Sequence, residues 1–380
     1  MGTVMKEKKF LMLFIGIAGI FILVCAVSNY VIDFYGVFRG SAKMAIQSNE
    51  INDRFVKMEY LLQNREFQKY DSYLWGSSRV QKTDTQLTGK RTYNMGASGG
   101  MPEDCLRDLK RLKGNGAFVD TVYLGLDDFS YLTDYREQLS MIFRQPYEQE
   151  QDKRCKYYAD LLIKPGIIKT WLQEKLKHRP EGTTLLWKNG MYLVPQEIEK
   201  QIEGNPMEYV REKKFDKPSR FSSGGNSRFE ECIETVRAIK QFCDENHIRF
   251  VPFFYPQHMT TYLNDDIELM NRFKKELVKI SPFWDFSGVN YVTSNNYFWY
   301  ETSHPRAFIC DKILDTVSGQ NQMTWVPDFG VYVTEENVDA FCEKAVRDRE
   351  AYDPNHEQWI PSAEERIVMT RRMNGFQEAK

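Results

Sequence analysis

Two short stretches carry residue types that can do chemistry. The first is Gly76-Ser77-Ser78-Arg79, directly after the strand-like stretch Tyr70-Asp71-Ser72-Tyr73-Leu74-Trp75. A glycine at a strand end lets the backbone turn sharply. A serine two positions later then stands on the turn, at the mouth of a following helical stretch of about ten residues. Its hydroxyl is exposed there, beside backbone N–H groups that can face developing negative charge. The second stretch is Glu301-Thr302-Ser303-His304, in an aromatic loop just ahead of a helix. A carboxylate three residues before a histidine can hold one ring nitrogen and leave the other to take a proton, as a nucleophile's base requires. Each stretch alone also fits an ordinary role, the first as a small polar turn and the second as a capping histidine with an incidental acid.

Two more glycine turns fall at strand ends. One is Asn94-Met95-Gly96-Ala97-Ser98-Gly99-Gly100 and the other is Gly125-Leu126-Asp127-Asp128. In parallel α/β sheets ligands bind beyond the carboxyl ends of the strands, where all three turns lie. Of the five histidines, His178 and His247 stand at charged helix ends and His356 in a polar tail. His258 follows an apolar strand and is a candidate to line the same mouth. No H-E-x-x-H motif is present, and the seven cysteines show no C-x-x-C spacing, so no metal site, cofactor or dense disulfide framework is expected. Cys232 and Cys243 flank one helix roughly 16 Å apart along its axis, too far to bridge.

The elements that position these residues follow from pattern. Phe10 to Val27 is an apolar run of eighteen residues preceded by Lys6, Lys8 and Lys9. It covers about 27 Å as a helix, enough to cross a bilayer core. The lysines put the N-terminus in the cytoplasm and the body of the protein outside it. A cleaved signal peptide with Ala26-x-Ser28 at the cleavage site is the alternative. The charge is nearly balanced, 51 basic against 53 acidic residues, which gives no footprint for a nucleic-acid partner.

Behind the run, residues 33–68 read as a juxtamembrane helical stalk with one apolar face, docked on the domain or the membrane surface. Strands are expected at Tyr70–Trp75, Arg91–Met95, Phe118–Leu124, Ile248–Tyr255 and Phe283–Phe286. Helices are expected at about 102–112, 229–245, 265–279, 305–317 and 335–351. Residues 132–225 break this rhythm and read as an insertion over the top of the sheet. It carries a helix at Ile167–Leu176, a hairpin turning at Asn189-Gly190, and a returning linker at Arg220–Asn226. The expected architecture is α/β, a three-layer parallel sheet with an inserted subdomain, preceded by one transmembrane helix. The segments are 1–9 cytoplasmic tail, 10–32 anchor, 33–68 stalk, 69–318 domain and 319–380 helical tail.

The order of these motifs resembles the SGNH (GDSL-type) hydrolase superfamily over about residues 69 to 317. The resemblance implies a flavodoxin-like sheet and a serine esterase or acyltransferase. It makes Ser78, rather than Ser77, the nucleophile, His304 the base and Glu301 its partner. Ser78, the Gly99 N–H and the residue at position 127 would form the oxyanion hole, with Arg79, Asn94 and His258 behind them. Family members often have asparagine where this chain has Asp127. An ionised aspartate cannot donate, so Asp127 must be protonated, turned away, or paired with a cation such as Arg79. Together with the anchor, the turns look like those of membrane-anchored proteins of envelope-polymer modification, similar to lipoteichoic-acid D-alanyl transfer and alginate O-acetyl transfer proteins. That narrower resemblance implies a multi-spanning acyltransferase partner of the MBOAT type and a polysaccharide or teichoic-acid-like acceptor. A stand-alone esterase or lysophospholipase, and an inert scaffold or glycan-binding partner, are the other readings.

Overall fold

The computed structural model describes residues 2–38, 51–63, 65–176, 184–219, 227–321 and 329–366. The linker expected at Arg220–Asn226 and His178 lie outside these residues. The chain opens with α1 (Gly2–Ile32), followed by α2 (Asp53–Gln63), β1 (Ser72–Trp75), β2 (Thr92–Asn94), α3 (Pro102–Gly114) and β3 (Thr121–Leu126). Next come α4 (Asp128–Leu132), α5 (Tyr135–Ser140), α6 (Gln151–Leu162), α7 (Gly166–Leu176), the hairpin of β4 (Thr184–Leu185) and β5 (Tyr192–Leu193), α8 (Gln196–Gly204) and α9 (Pro206–Tyr209). The chain returns through α10 (Ser227–Glu245), β6 (Arg249–Phe254), α11 (Met259–Tyr262), α12 (Ile267–Val278), β7 (Phe283–Asp285) and α13 (Ala307–Ser318). It ends with β8 (Val331–Val333) and α14 (Val338–Ala351).

Among the described residues six strands form one sheet in the order β2-β1-β3-β6-β7-β8. All neighbours are parallel except the last pair, where β8 runs antiparallel to β7. Successive side chains of a strand point to opposite faces, and here they enter two different cores. Tyr73, Trp75, Val122, Leu124, Leu126 and Phe254 belong to one, with the apolar faces of α2, α3, α10 and α12. Leu74, Tyr123, Val251 and Phe253 belong to the other, with α13 and the Tyr297-Phe298-Trp299 loop. The sheet is thus covered on both faces, as a parallel sheet requires, and the molecule has three layers. The mixed α/β class with a mostly parallel sheet agrees with the sequence pattern.

Several elements differ from expectation. No α-helix follows Ser78. The carbonyls that would propagate one are taken by other parts of the chain: Val80 and Thr83 O accept from Asn94 Nδ2 at 2.8 and 3.3 Å, and Gln81 O accepts from Tyr192 N at 2.8 Å. Only single turns and a short 3₁₀ segment at Thr85–Thr88 form. The third strand starts at Thr121, later than the expected Phe118, whose side chain is exposed. The edge strand β8 was not expected, since three residues without a strong alternation leave little signal. Finally, α2 takes one of the two positions expected for it, docked on the domain, but it buries all of Asp53 to Met58 there rather than a single apolar face.

α1 is a single helix whose stretch Glu7–Ile32 is long and apolar enough to cross a membrane.

Candidate active site

The loops that leave β1, β2, β3 and β6 all emerge at the carboxyl edge of the sheet, where the sequence-derived residues other than His258 meet. Gly100 is why the first two can. A methyl on its Cα would lie 2.2 Å from Gly76 O, so only glycine lets the second turn press against the first. Ala97 N donates to Gly76 O across the same contact at 3.1 Å.

Ser78 is partly exposed on the first turn. Its Oγ lies 2.7 Å from His304 Nε2. The other ring nitrogen, Nδ1, is hydrogen-bonded to Glu301 Oε1, and Glu301 Oε2 accepts from Ser303 N at 2.7 Å. Residues 226 positions apart in sequence are therefore in contact, in the serine–histidine–acid order. Burial pushes the His304 pKa down, the nearby Lys82 and Arg79 add to this, and Glu301 only partly opposes it, so the net shift is downward. For Glu301, burial alone would raise the pKa. The hydrogen bond and charge of His304, the Ser303 N–H and Lys82 outweigh it, and the carboxyl stays below its ordinary value. At neutral pH the pair is thus a carboxylate holding Nδ1–H of a neutral imidazole, with Nε2 free to accept the Ser78 proton.

Gly99 sits in the left-handed region at φ 59°. A side chain there would also meet Gln138 Oε1 at 2.6 Å and Arg144 Nη1 at 2.8 Å. Among the described residues neither Ser78 N–H nor Gly99 N–H donates to a protein acceptor. Both remain available to an oxyanion. Asp127 is not. Its Oδ1 accepts from Ser130 N at 3.2 Å as the cap of α4, and its Oδ2 accepts from Ser77 Oγ at 2.6 Å and faces Arg79 Nη1 at 3.1 Å. Both oxygens act as acceptors, which is the role of an ionised carboxylate. Burial nevertheless raises its pKa, against the opposing charge of Arg79. Of the three arrangements open to Asp127, pairing with Arg79 is the one observed.

Arg79 is buried and does more than neutralise. Its Nη1 also binds Asp128, its Nε donates to Ser303 O at 3.0 Å, and its own carbonyl lies 3.4 Å from Cys310 Sγ. It therefore ties the serine turn to the acids after β3 and to the loop that carries His304. Asn94 couples the two glycine turns: beyond the carbonyls it binds after Ser78, its Oδ1 accepts from Gly96 N at 2.8 Å. His258 is not at the mouth. It is buried, its Nδ1 accepts from Thr260 N at 3.1 Å, its Nε2 meets Asn296 Oδ1 at 2.7 Å, and its ring stacks on Phe215. Burial lowers its pKa to about 4, so it is a neutral helix cap.

Sequence reasoning missed the group that grips the second turn from α2. Asp53 Oδ2 accepts from Ser98 N at 2.9 Å and from Gln81 Nε2 at 2.8 Å. Arg54 donates to the carbonyls of Ser98 and Gly99 while its Nε pairs with Asp104 at 2.9 Å. Lys57 Nζ donates to Gly96 O at 2.5 Å, and burial lowers its pKa to about 8 against the pull of Asp53. Three charged residues in five positions would otherwise read as a solvated face. The signal was that Val56, Tyr60 and Leu61 fall among them at helical spacing, which leaves no wholly polar side.

Beside His304 lies a cavity of about 510 Å³ lined by Lys82, Ile198, Tyr209, Tyr300 and Glu301. One wall comes from α8 and α9 of the inserted segment. That wall is anchored to the histidine loop by Arg306, whose Nη2 meets Glu199 and Glu203 at 2.5 and 2.9 Å, and by Tyr209 OH, which donates to Trp299 O at 2.6 Å.

Compared with known proteins, the sequence matches no family model and no curated protein.

Proposed function

We propose that this chain is a membrane-anchored serine acyl-transfer enzyme of SGNH type, acting through an acyl-Ser78 intermediate. The observation that carries the reading is the contact of Ser78 Oγ with His304 Nε2 at 2.7 Å, with Nδ1 held by Glu301. In the first half-reaction His304 takes the Ser78 proton as Oγ bonds to the carbonyl carbon of an ester or thioester. The Ser78 and Gly99 N–H groups receive the negative charge. The intermediate collapses, the bond to the leaving oxygen or sulfur breaks, and His304 returns its proton to that atom. In the second half an acceptor hydroxyl gives its proton to His304, attacks the acyl carbon, and displaces Ser78, which is reprotonated. A hydroxyl on an envelope polysaccharide gives transfer and water gives hydrolysis. The acyl group, on this reading O-acetyl, comes from a multi-spanning MBOAT-type partner. The inserted α8–α9 wall supports a substrate-selecting role for the insertion.

The intact protein in detergent, treated with a fluorophosphonate probe, is expected to carry one adduct, mapped by mass spectrometry to the peptide holding Ser78. No adduct, or an adduct on another serine, would remove the proposal.

Lys82 gives a second check. The base works as neutral imidazole, so activity should hold at neutral pH and fall only once the pH drops through the lowered His304 pKa. Removing a cation that lowers that pKa must raise it. Lys82→Met is therefore expected to shift the acid limb of kcat/KM upward, losing activity in mildly acidic buffer while matching wild type on the alkaline side of neutral. An unmoved or lowered limb would show that Lys82 does not act on His304.

A further inference from the structure

The elbow between α6 and α7 is placed where a membrane surface would be. Asn29, at 1 % exposure, donates through Nδ2 to the carbonyls of Leu161, Leu162 and Lys164 at 3.0, 2.8 and 3.0 Å, closing the C-terminal end of α6. Cys25, one turn earlier, is also buried, although its neighbours back to Phe10 are mostly exposed. The apolar run ends at Val27, two residues or about 3 Å along the helix before Asn29. Headgroup layers extend about 5–8 Å beyond the hydrocarbon core on each side. The elbow packed on Asn29 therefore falls within that layer if α1 spans a bilayer.

The side chains there suit such a position. Ile163, Leu172 and Leu176 are exposed at 53, 49 and 75 %. Ile168, Leu172 and Leu176 recur every four residues, so they form one stripe along α7, with the half-buried Trp171 beside it and Ile167 turned into the domain. Lys164, Lys169 and Lys175 are exposed alongside, and no acidic residue occurs between Asp160 and Glu174. A single exposed leucine means nothing. An apolar stripe flanked by lysines, continuous with a membrane span, is the pattern of an interfacial helix whose lysine heads reach anionic headgroups.

We infer that the α6–α7 elbow and the outer stripe of α7 rest in the headgroup layer of an anionic bilayer. The domain then meets the membrane at two points, α1 and this hairpin, which fixes its tilt and the height of the site. The inference rests on α1 as a span and is independent of the chemistry at Ser78.

The test uses the full chain in nanodiscs containing anionic lipid, with Cys155→Ser removing the one exposed cysteine among the described residues. A polarity-sensitive nitrobenzoxadiazole label is placed in turn at Leu172→Cys on the stripe, Ile17→Cys within α1 and Glu234→Cys on the outer face of α10. The expected result is a blue-shifted Leu172→Cys label quenched most by headgroup-level nitroxide lipid, an Ile17→Cys label quenched most by deep nitroxide, and an unquenched Glu234→Cys label. A Leu172→Cys label no more quenched than Glu234→Cys, with Ile17→Cys still quenched, would overturn the seating and leave the span intact. Loss of quenching at Ile17→Cys would overturn both.

Discussion

Ser78→Ala is expected to lower ester turnover by on the order of 10⁴ to 10⁶, the range seen when one member of a serine–histidine–acid set is removed. A factor of 10⁴ corresponds to about 5.5 kcal/mol of lost transition-state stabilisation. Among the described residues no other hydroxyl is hydrogen-bonded to His304 Nε2, so under the proposed function none stands in for Ser78. Folding should be untouched, because Ser78 is partly exposed and the His304 ring it leaves behind keeps 29 % exposure to water. A change at such a position lies within about 0.5 kcal/mol. Its neighbour provides the contrast. Ser77 Oγ donates to the buried Asp127 at 2.6 Å, and a hydrogen bond to a charged group contributes about 1.5–3 kcal/mol. Ser77→Ala should therefore lower the melting temperature while still taking the fluorophosphonate label. Turnover by Ser78→Ala within tenfold of wild type, or the opposite pattern in the two serines, would assign the chemistry elsewhere.

What the sequence made legible, and what it hid, divides along the range of the interactions. The serine turn, the glycine turns and the Glu301–His304 pair were readable because each is set by residues within a few positions. The strands that present them were readable because β1, β3 and the last four residues of β6 are buried on both faces and so appear as apolar or aromatic runs. The absent helix after Ser78 was not readable, because its carbonyls are claimed by Asn94 and Tyr192 from distant parts of the chain. Asp53, Arg54 and Lys57 were readable only in part, because their partners, the backbone of the Gly96–Gly100 turn together with Gln81 and Asp104, stand far along the chain. His258 misled in the other sense. A histidine just after a central strand is well placed for a site, but here Thr260 and Asn296 satisfy both its nitrogens.

Arg79→Met should be the most damaging substitution outside the reacting groups, and its effect should depend on pH in a particular direction. Arg79 has 2 % side-chain exposure and faces Asp127 and Asp128, which are equally buried. Removing one partner of a buried ion pair costs about 3–5 kcal/mol because a charge is left uncompensated. That is a large part of the roughly 5–15 kcal/mol that holds a domain folded. Asp127 is already held above the ordinary carboxyl range by burial, and Arg79 is the main opposing influence. Without it the folded-state pKa rises further. A carboxyl whose folded pKa lies above its unfolded one destabilises the fold above the unfolded value, near 4, and ceases to do so once both states are protonated. The deficit of Arg79→Met against wild type should therefore be full at neutral pH and shrink as the pH falls through the folded pKa of Asp127. Adding Asp127→Asn should recover part of it at neutral pH. Arg79→Lys separates charge from geometry: it keeps the cation but cannot supply both the carboxylate fork and the Nε bond to Ser303 O. It should melt closer to wild type yet lose kcat, because the loop that aims His304 has lost its tie to the serine turn. Thermal midpoints across pH and kcat for the three variants decide this. An Arg79→Met protein within 1 kcal/mol of wild type at neutral pH, or one whose deficit grows on acidification, would mean that Asp127 and Asp128 are held by something other than this guanidinium.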